Sequence, residues 1–352
     1  MSYKVSATCL KSSVLAVSLL FLQPVFAQYN FQSLDQEWQA KQKLLGKDAV
    51  IMLWKDTLIY KKETGDFNAK TVAPVASASK WLTAALVMQF VDEGKLSLDD
   101  KITRWLPEFE KYGKNYITIR GCLSHMTGIE DEGKLLKKLF QRKKFASLEE
   151  EVNSFAAREI RANPGTDFWY GNIGLNIAGR VLEVISKKKF DVLIKQKLLN
   201  PMTMRKTSFT TLDASAVNPS GGASSTAEDY MKFLVMLLNK GKYDGKQVVS
   251  EESVNQLMEI QATSDKIKYA PKAAQAANYT FNYTLGSWVM QYSNGKAATL
   301  ASPGLSGIWP MIDVCRGYAY IVFVKNLLDE EMPDVHIALK KVIDEQIPST
   351  CN

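Results

Sequence analysis

Val75-Ala-Ser77-Ala-Ser-Lys80-Trp-Leu-Thr-Ala-Ala-Leu-Val-Met-Gln-Phe-Val-Asp-Glu-Gly94 is the stretch around which the chain is organised. From Lys80 to Val91 it is apolar nearly all round, the pattern of a buried helix rather than an amphipathic one. Gly94 is a natural residue to end it. The entrance differs from the body: two serines and a lysine stand at the mouth of the apolar run. Residues three apart share a helical face, so Ser77 and Lys80 are expected side by side. The positive pole of the helix and burial both disfavour an ammonium there, pushing the lysine towards a neutral amine able to take a proton. A serine hydroxyl becomes a useful nucleophile when such a base is adjacent. The first-turn N–H groups, without helical partners, can face a developing oxyanion.

Spacing alone does not single this site out. Ser-x-x-Lys recurs as Ser186-Lys-Lys-Lys189, in a lysine run that reads as a solvated patch. It recurs again as Ser293-Asn-Gly-Lys296, where Asn-Gly between alternating apolar stretches is a hairpin signature.

The histidine count narrows the chemistry. Only His125 and His336 are present, and no Gly-x-Ser-x-Gly elbow accompanies them. A multi-histidine zinc site is thereby excluded, and a Ser-His-Asp triad would have to use one of these two. A hydrolase built from this chain is expected to use a base other than histidine, with no metal and no cofactor.

With 352 residues, 46% hydrophobic and 23% charged, the composition is that of a globular protein with a large core. Residues 1–27 read as a secretory signal: Lys4 and Lys11, an apolar run from Ser12 to Leu22, then Val25-Phe26-Ala27 before Gln28. That run is shorter than the ~17 residues needed to span a bilayer. The expectation is cleavage near Ala27-Gln28, a secreted or periplasmic protein, and no membrane span in the mature chain. Cleavage would lower the net charge from +7 to +5, since 1–27 hold two lysines and no acid. The lysines are scattered, so nucleic acid is not an expected partner, and Lys134–Lys144 reads as a solvated basic helix. Cys122, Cys315 and Cys351 would remain, an odd number that leaves at least one free thiol. One bridge between Cys315 and Cys351 is conceivable.

In chain order, a helix over Phe31–Leu45 precedes a strand at Ala49–Trp54 and its hairpin partner at Thr57–Tyr60. After the central helix, Ser147-Leu-Glu-Glu150 is a capping box opening a helix to about Ile160. Asn163-Pro-Gly165 breaks it, and a mostly apolar helix follows Tyr170-Gly-Asn172. Gly221–Glu228 caps a helix ending near Lys240-Gly241, and Ser250 caps the next. From Tyr279 the texture alternates like strands, continuing through Ala297–Ala301, Ile308–Val314 and Tyr318–Val324. A helix over Asp334–Ile347 closes the chain. The order predicts an α+β fold, an antiparallel sheet flanked by helices with a helical domain inserted. We divide it as sheet domain 28–76 and 240–352, helical domain 77–239.

Five ordered motifs together resemble the serine β-lactamase and penicillin-binding protein-like family, on its class C β-lactamase and esterase side. They are Ser77-Ala-Ser-Lys80; Ile117-Thr-Ile-Arg with Leu123-Ser-His-Met-Thr-Gly128; Tyr170-Gly-Asn172; Gly221-Gly-Ala-Ser-Ser-Thr226; and Ser302-Pro-Gly304-Leu-Ser-Gly307. The resemblance runs from about Ala49 to Leu327 and implies a β-lactamase/transpeptidase-like fold. It implies that Ser77 is acylated, that Lys80 assists proton removal, and that Tyr170 is the partner acid/base. Asn172 would hold a substrate amide. A tyrosine beside a cation has its phenolate favoured, which suits a proton shuttle. Tyr292-Ser-Asn294 is a rival Tyr-x-Asn, but it lies in the Asn-Gly hairpin. His125 falls in a motif that the resemblance makes structural.

The last of these motifs departs from the family pattern. Where relatives carry Lys-Thr-Gly or His-x-Gly, this chain has Ser302-Pro303-Gly304. Gly304 still allows close approach of a substrate backbone, and the Leu305 N–H could complete an oxyanion hole with that of Ser77. Ser302 lacks the charge that grips a substrate carboxylate. The expected substrate is therefore a small ester or amide of low negative charge, with β-lactams or D-alanyl-D-alanine cell-wall peptides as the alternative. A non-catalytic β-lactam or peptide binder is the alternative of another class. A monomer is expected.

Overall fold

The computed structural model describes residues 1–3, 29–130, 145–211, 213, 215–271, 282–325 and 332–351. The proposed signal segment and the basic run Lys134–Lys144 lie largely or wholly outside the described residues. Seven strands form one antiparallel sheet: β1 Ala49–Lys55, β2 Thr57–Thr64, β3 Asn282–Tyr283, β4 Trp288–Ser293, β5 Lys296–Ala301, β6 Ile308–Asp313 and β7 Tyr318–Val324. Their spatial order is β2-β1-β7-β6-β5-β4-β3. The first hairpin thus docks on the last strand, with Ala49 opposite Val324 and Trp54 opposite Ala319.

The central strands are buried on both faces, and the two-residue period decides what each face meets. Val50 and Met52 of β1, with Ile321 and Phe323 of β7, join the core built on the central helix α2, Ser79–Asp92. Ile51 and Leu53, with Tyr318, Tyr320 and Val322, turn to the other side. There they meet α1, Gln32–Leu45, through Leu34 and Trp38, and the C-terminal helix α6, Pro333–Gln346, through Val335, Leu339 and Ile343. Helices α3 Leu148–Ala156, α4 Ile173–Ser186 and α5 Ala227–Leu238 complete the core around α2. Every described side chain of α2 from Ser79 to Phe90 is buried, as a helix apolar all round requires.

Capping follows the sequence closely. Ser147 Oγ accepts from Glu150 N, Thr226 Oγ1 from Asp229 N, and Ser250 Oγ from Ser253 N. The helix opened by Ser147 stops at Ala156 rather than running on to Ile160. The next residues are claimed by extended pairing: Glu130 N donates to Glu159 O, Arg161 N to Gly128 O, and Ile160 bridges Ile129. The buried Lys114 ammonium, at 2.6 Å from Ala156 O, satisfies a carbonyl of the final turn.

The alternating segment begins, among the described residues, at Asn282 and is interrupted by a turn at Thr284–Ser287. Gly286 there has φ +92°, and a Cβ on it would lie 3.0 Å from both Lys80 O and Ala84 Cβ. The interruption is a close approach of sheet backbone to the first turns of α2. Cys315, in the β6–β7 turn, is bonded to Cys351, while Cys122 is a buried free thiol whose pKa burial raises. No described helix is long and apolar enough to cross a membrane.

Candidate active site

Ser77 lies in a 3₁₀ turn, Ala76–Ala78, that leads directly into α2. The residue before it, Ala76, has φ +44°, a left-handed conformation that non-glycine residues seldom adopt. Such strain persists where the surroundings over-determine the backbone. Here Val75 N donates to Ala223 O at 2.9 Å, Ala223 N donates to Ser79 Oγ at 3.0 Å, and Tyr230 Oη donates to Ala78 O at 2.7 Å. The strand-like segment 223–225 and α5 therefore clamp the turn that presents Ser77.

Lys80 is fully buried at the start of α2. Its Nζ lies 3.2 Å from Ser77 Oγ, 3.2 Å from Asn172 Oδ1 and 2.9 Å from Ser220 O. The same atom sits over the Tyr170 ring, 4.9 Å from its centroid. Asn172 is the N-cap residue of α4, yet its side chain makes no cap bond to the helix; the amide oxygen is turned to Lys80. Tyr170 is buried and its backbone is fixed by Tyr170 N donating to Tyr269 O at 3.1 Å. Four of the residues expected from sequence (Ser77, Lys80, Tyr170 and Asn172) therefore meet at one ammonium.

The β5–β6 connection reaches the site differently. Gly304 N donates to Ile308 O and Gly307 N to Gly304 O, closing a tight turn over 304–307. A Cβ on Gly304 would lie 2.3 Å from Val75 O, so only glycine lets this turn lean on the loop carrying Ser77. Leu305 is the second residue of that turn and is buried. Ser302 is buried too, and its hydroxyl donates to Gly286 O at 3.2 Å. A serine has one O–H donor, so with that hydrogen directed at Gly286 only lone pairs remain for another partner. Ser302 thus braces the turn that rests on the Lys80 carbonyl.

Sequence reading missed one partner of Lys80, the carbonyl of Ser220. Ser220 O is a backbone acceptor, which no residue type advertises; the glycine pair that follows it was the nearest signal. Asn176 holds it in place, accepting from Ser220 N at 3.0 Å. An asparagine one turn after Asn172, within the apolar face of α4, could have been read as a polar group with a buried duty. Thr83 Oγ1 donates to Pro219 O at 2.7 Å and fixes the same segment against α2.

His125 lies behind Tyr170, ring centroids 4.6 Å apart. Burial first, and the nearby Lys80 charge second, hold its pKa well below the usual histidine range, so it is neutral. Tyr283, at 3.1 Å from His125 Nε2, has its phenol pKa raised by burial and secondarily by Tyr170.

The chemistry open to this arrangement follows from counting hydrogens. Two acceptors, Asn172 Oδ1 and Ser220 O, can occupy two N–H bonds of Lys80 in either protonation state. The vertex facing Ser77 Oγ then donates as an ammonium or accepts as an amine. A proton can pass between Ser77 and Lys80 without reorganising the other two bonds, the preorganisation that favours nucleophile activation.

The sequence model of the β-lactamase family matches residues 41–342. An uncharacterized protein of Mycobacterium tuberculosis is 26% identical, over 80% of this chain and 86% of its own length. A β-lactamase candidate from Bacteroides dorei superimposes with TM-score 0.79 at 26% identity, covering 90% of this chain and 100% of that one. A family VIII carboxylesterase superimposes with TM-score 0.70 at 14% identity, covering 90% and 97%.

Proposed function

Because the chain belongs to the β-lactamase family, whose relatives of this fold are serine hydrolases, we propose that it is an exported hydrolase forming an acyl-enzyme at Ser77 on esters or amides of low negative charge. The observation that carries this reading is the 3.2 Å approach of the buried Lys80 Nζ to Ser77 Oγ, with Asn172 and Ser220 holding the same nitrogen. Ser77 Oγ adds to the substrate carbonyl while its proton passes to Lys80 or Tyr170. The N–H groups of Ser77 and Leu305 receive the oxyanion. The leaving alcohol or amine departs with a proton returned from the same pair, and water then cleaves the acyl-serine by the reverse route.

Preference for a less anionic substrate rests on Ser302. Relatives with a lysine or histidine there offer a charged donor, whereas this hydroxyl donates to Gly286. A carboxylate facing lone pairs in a buried site gains nothing and loses hydration. Export is supported by the signal-like segment 1–27 and by the Cys315–Cys351 disulfide, a bond that persists in oxidising compartments.

Intact-mass measurement after incubation with a fluorophosphonate, a penicillin and short-chain aryl esters tests the reading. The expected result is one adduct, mapped to Ser77 and absent in Ser77→Ala, with ester turnover exceeding β-lactam turnover. Labelling of Ser79, Ser186 or Ser293 instead, or hydrolysis of penicillin faster than of esters, would refute it.

A further inference from the structure

We propose that His125 is the positioning residue of the Tyr170-Gly171-Asn172 loop, acting through the Gly171 N–H that its Nδ1 accepts, with Tyr283 selecting the tautomer that makes this possible. The inference rests on the hydrolase reading above only for its activity readout.

Gly171 N donates to His125 Nδ1 at 3.4 Å. An imidazole nitrogen accepts only when its proton is on the other nitrogen, and Nε2 faces Tyr283 Oη at 3.1 Å. The partners therefore assign the proton to Nε2, with the tyrosine oxygen accepting it. Two residues earlier in the loop, Trp169 N donates to His125 O at 2.9 Å. A single histidine thus holds the segment before and after Tyr170, by its carbonyl and by its ring, while packing against the Tyr170 ring itself. The geometry is not incidental to the turn: His125 has φ +59°, a conformation in which histidine, asparagine and aspartate are enriched. The groups it orients are those that meet Lys80, since Tyr170 gives that ammonium its ring face and Asn172 its amide oxygen. Among the described residues the His125 ring meets Gly171, Tyr283, Phe168 and Tyr170 rather than Ser77, and its depressed pKa makes it a weak base, so its part is orientation.

Two substitutions separate acceptor from packing. His125→Asn keeps an acceptor at the Nδ1 position and suits the left-handed backbone, but removes the aromatic ring. His125→Phe keeps the ring and removes the acceptor. Tyr283→Phe leaves residue 125 and its backbone untouched and removes the tautomer partner. The measurements are kcat/KM on an aryl ester, near-UV circular dichroism to confirm packing, and amide hydrogen exchange of Gly171 by NMR. We expect His125→Phe to fall about 10²-fold, the scale of a small misplacement of catalytic groups. His125→Asn should recover most of that loss, and Tyr283→Phe should fall several-fold. Gly171 exchange should be fast in His125→Phe and slow in His125→Asn. A His125→Phe protein as active as His125→Asn, or Gly171 exchange unaltered by the loss of the ring nitrogen, would overturn the proposal. If the natural protein acylates nowhere, the hydrolase reading fails, and the Gly171 exchange comparison still decides the role of His125.

Discussion

Lys80 and Lys340 are both buried, one at the mouth of α2 and the other on α6 against the edge of β6, and their surroundings differ in kind. Lys80 Nζ meets a hydroxyl, a side-chain amide oxygen and a backbone carbonyl. Lys340 Nζ meets two carboxylates, Asp313 at 2.8 Å and Asp344 at 2.6 Å. Around Lys340 the network is closed by Thr299 Oγ1 on Asp313, Tyr318 Oη on Asp344 and the Arg316 guanidinium on Asp313. Each region also carries one buried histidine: His125 beside Tyr170, and His336 stacked 4.2 Å over Trp309 with Tyr320 Oη on its Nδ1. The contrast teaches what burial alone does not. Lys340 between its two carboxylates ties α6 to the end of β6, whereas Lys80 lies within hydrogen-bond reach of a serine hydroxyl.

The largest expected effect is on turnover. Ser77→Ala, Lys80→Ala and Tyr170→Phe should each lower kcat/KM by about 10³-fold or more, as for a lost nucleophile or its proton partner, with little loss of folding stability. Steady-state ester hydrolysis alongside urea unfolding checks both halves. An active Lys80→Ala protein would end the comparison.

Lys340→Met should do the reverse, keeping turnover at temperatures where the protein is folded but costing about 3 kcal/mol of stability, because Asp313 and Asp344 lose the nearer of the two cations they share, keeping Arg316. Urea midpoints for Lys340→Met and for the double variant with Asp313→Asn measure this, and the double variant should regain part of the loss. A loss of kcat in fully folded Lys340→Met would show that the two regions are not separable.

The histidines should behave alike where the lysines do not. Burial lowers the His336 pKa to about 3 and holds His125 well below its ordinary value, so the unfolded chain binds protons near pH 6.5 that the folded one refuses. Stability must then fall as pH falls below 6.5, by about 1.4 kcal/mol per unit for each histidine. Unfolding free energies between pH 7.5 and 5 test the sign and slope, and His336→Gln should remove about one proton from it. Stability that is flat, or rises, on acidification through this window would contradict the buried neutral state.

The smallest effect asks whether the Lys80 region accepts a second cation. In the natural protein, an uncharged methyl ester should outrun its carboxylated analogue several-fold in kcat/KM, since charged hydrogen bonds exceed neutral ones by about 1 kcal/mol. Ser302→Lys should narrow or reverse that ranking. A natural preference for the carboxylated substrate would mean another cation serves the anion, and the reading of Ser302 would fail.

Much of this molecule is legible one segment at a time. The alternation in Tyr318–Val324, the caps at Ser147, Thr226 and Ser250, the Asn294-Gly295 hairpin and the all-apolar run of α2 depend on interactions within a few residues, which sequence displays directly. So does the three-residue spacing of Ser77 and Lys80, since a helical turn alone brings them together. Tertiary structure decided what those pieces are for. It set Ser220 O and Asn172 Oδ1 on the Lys80 nitrogen, turned the Ser302 hydroxyl to Gly286, stopped the α3 helix at Ala156, placed β7 between β1 and β6, and brought the tail after α6 to Cys315. The physical reason is common to all of these. A backbone carbonyl has no residue identity, a hydroxyl can donate in several directions, and which partner each finds depends on segments from 16 to 140 residues away along the chain that only packing brings near.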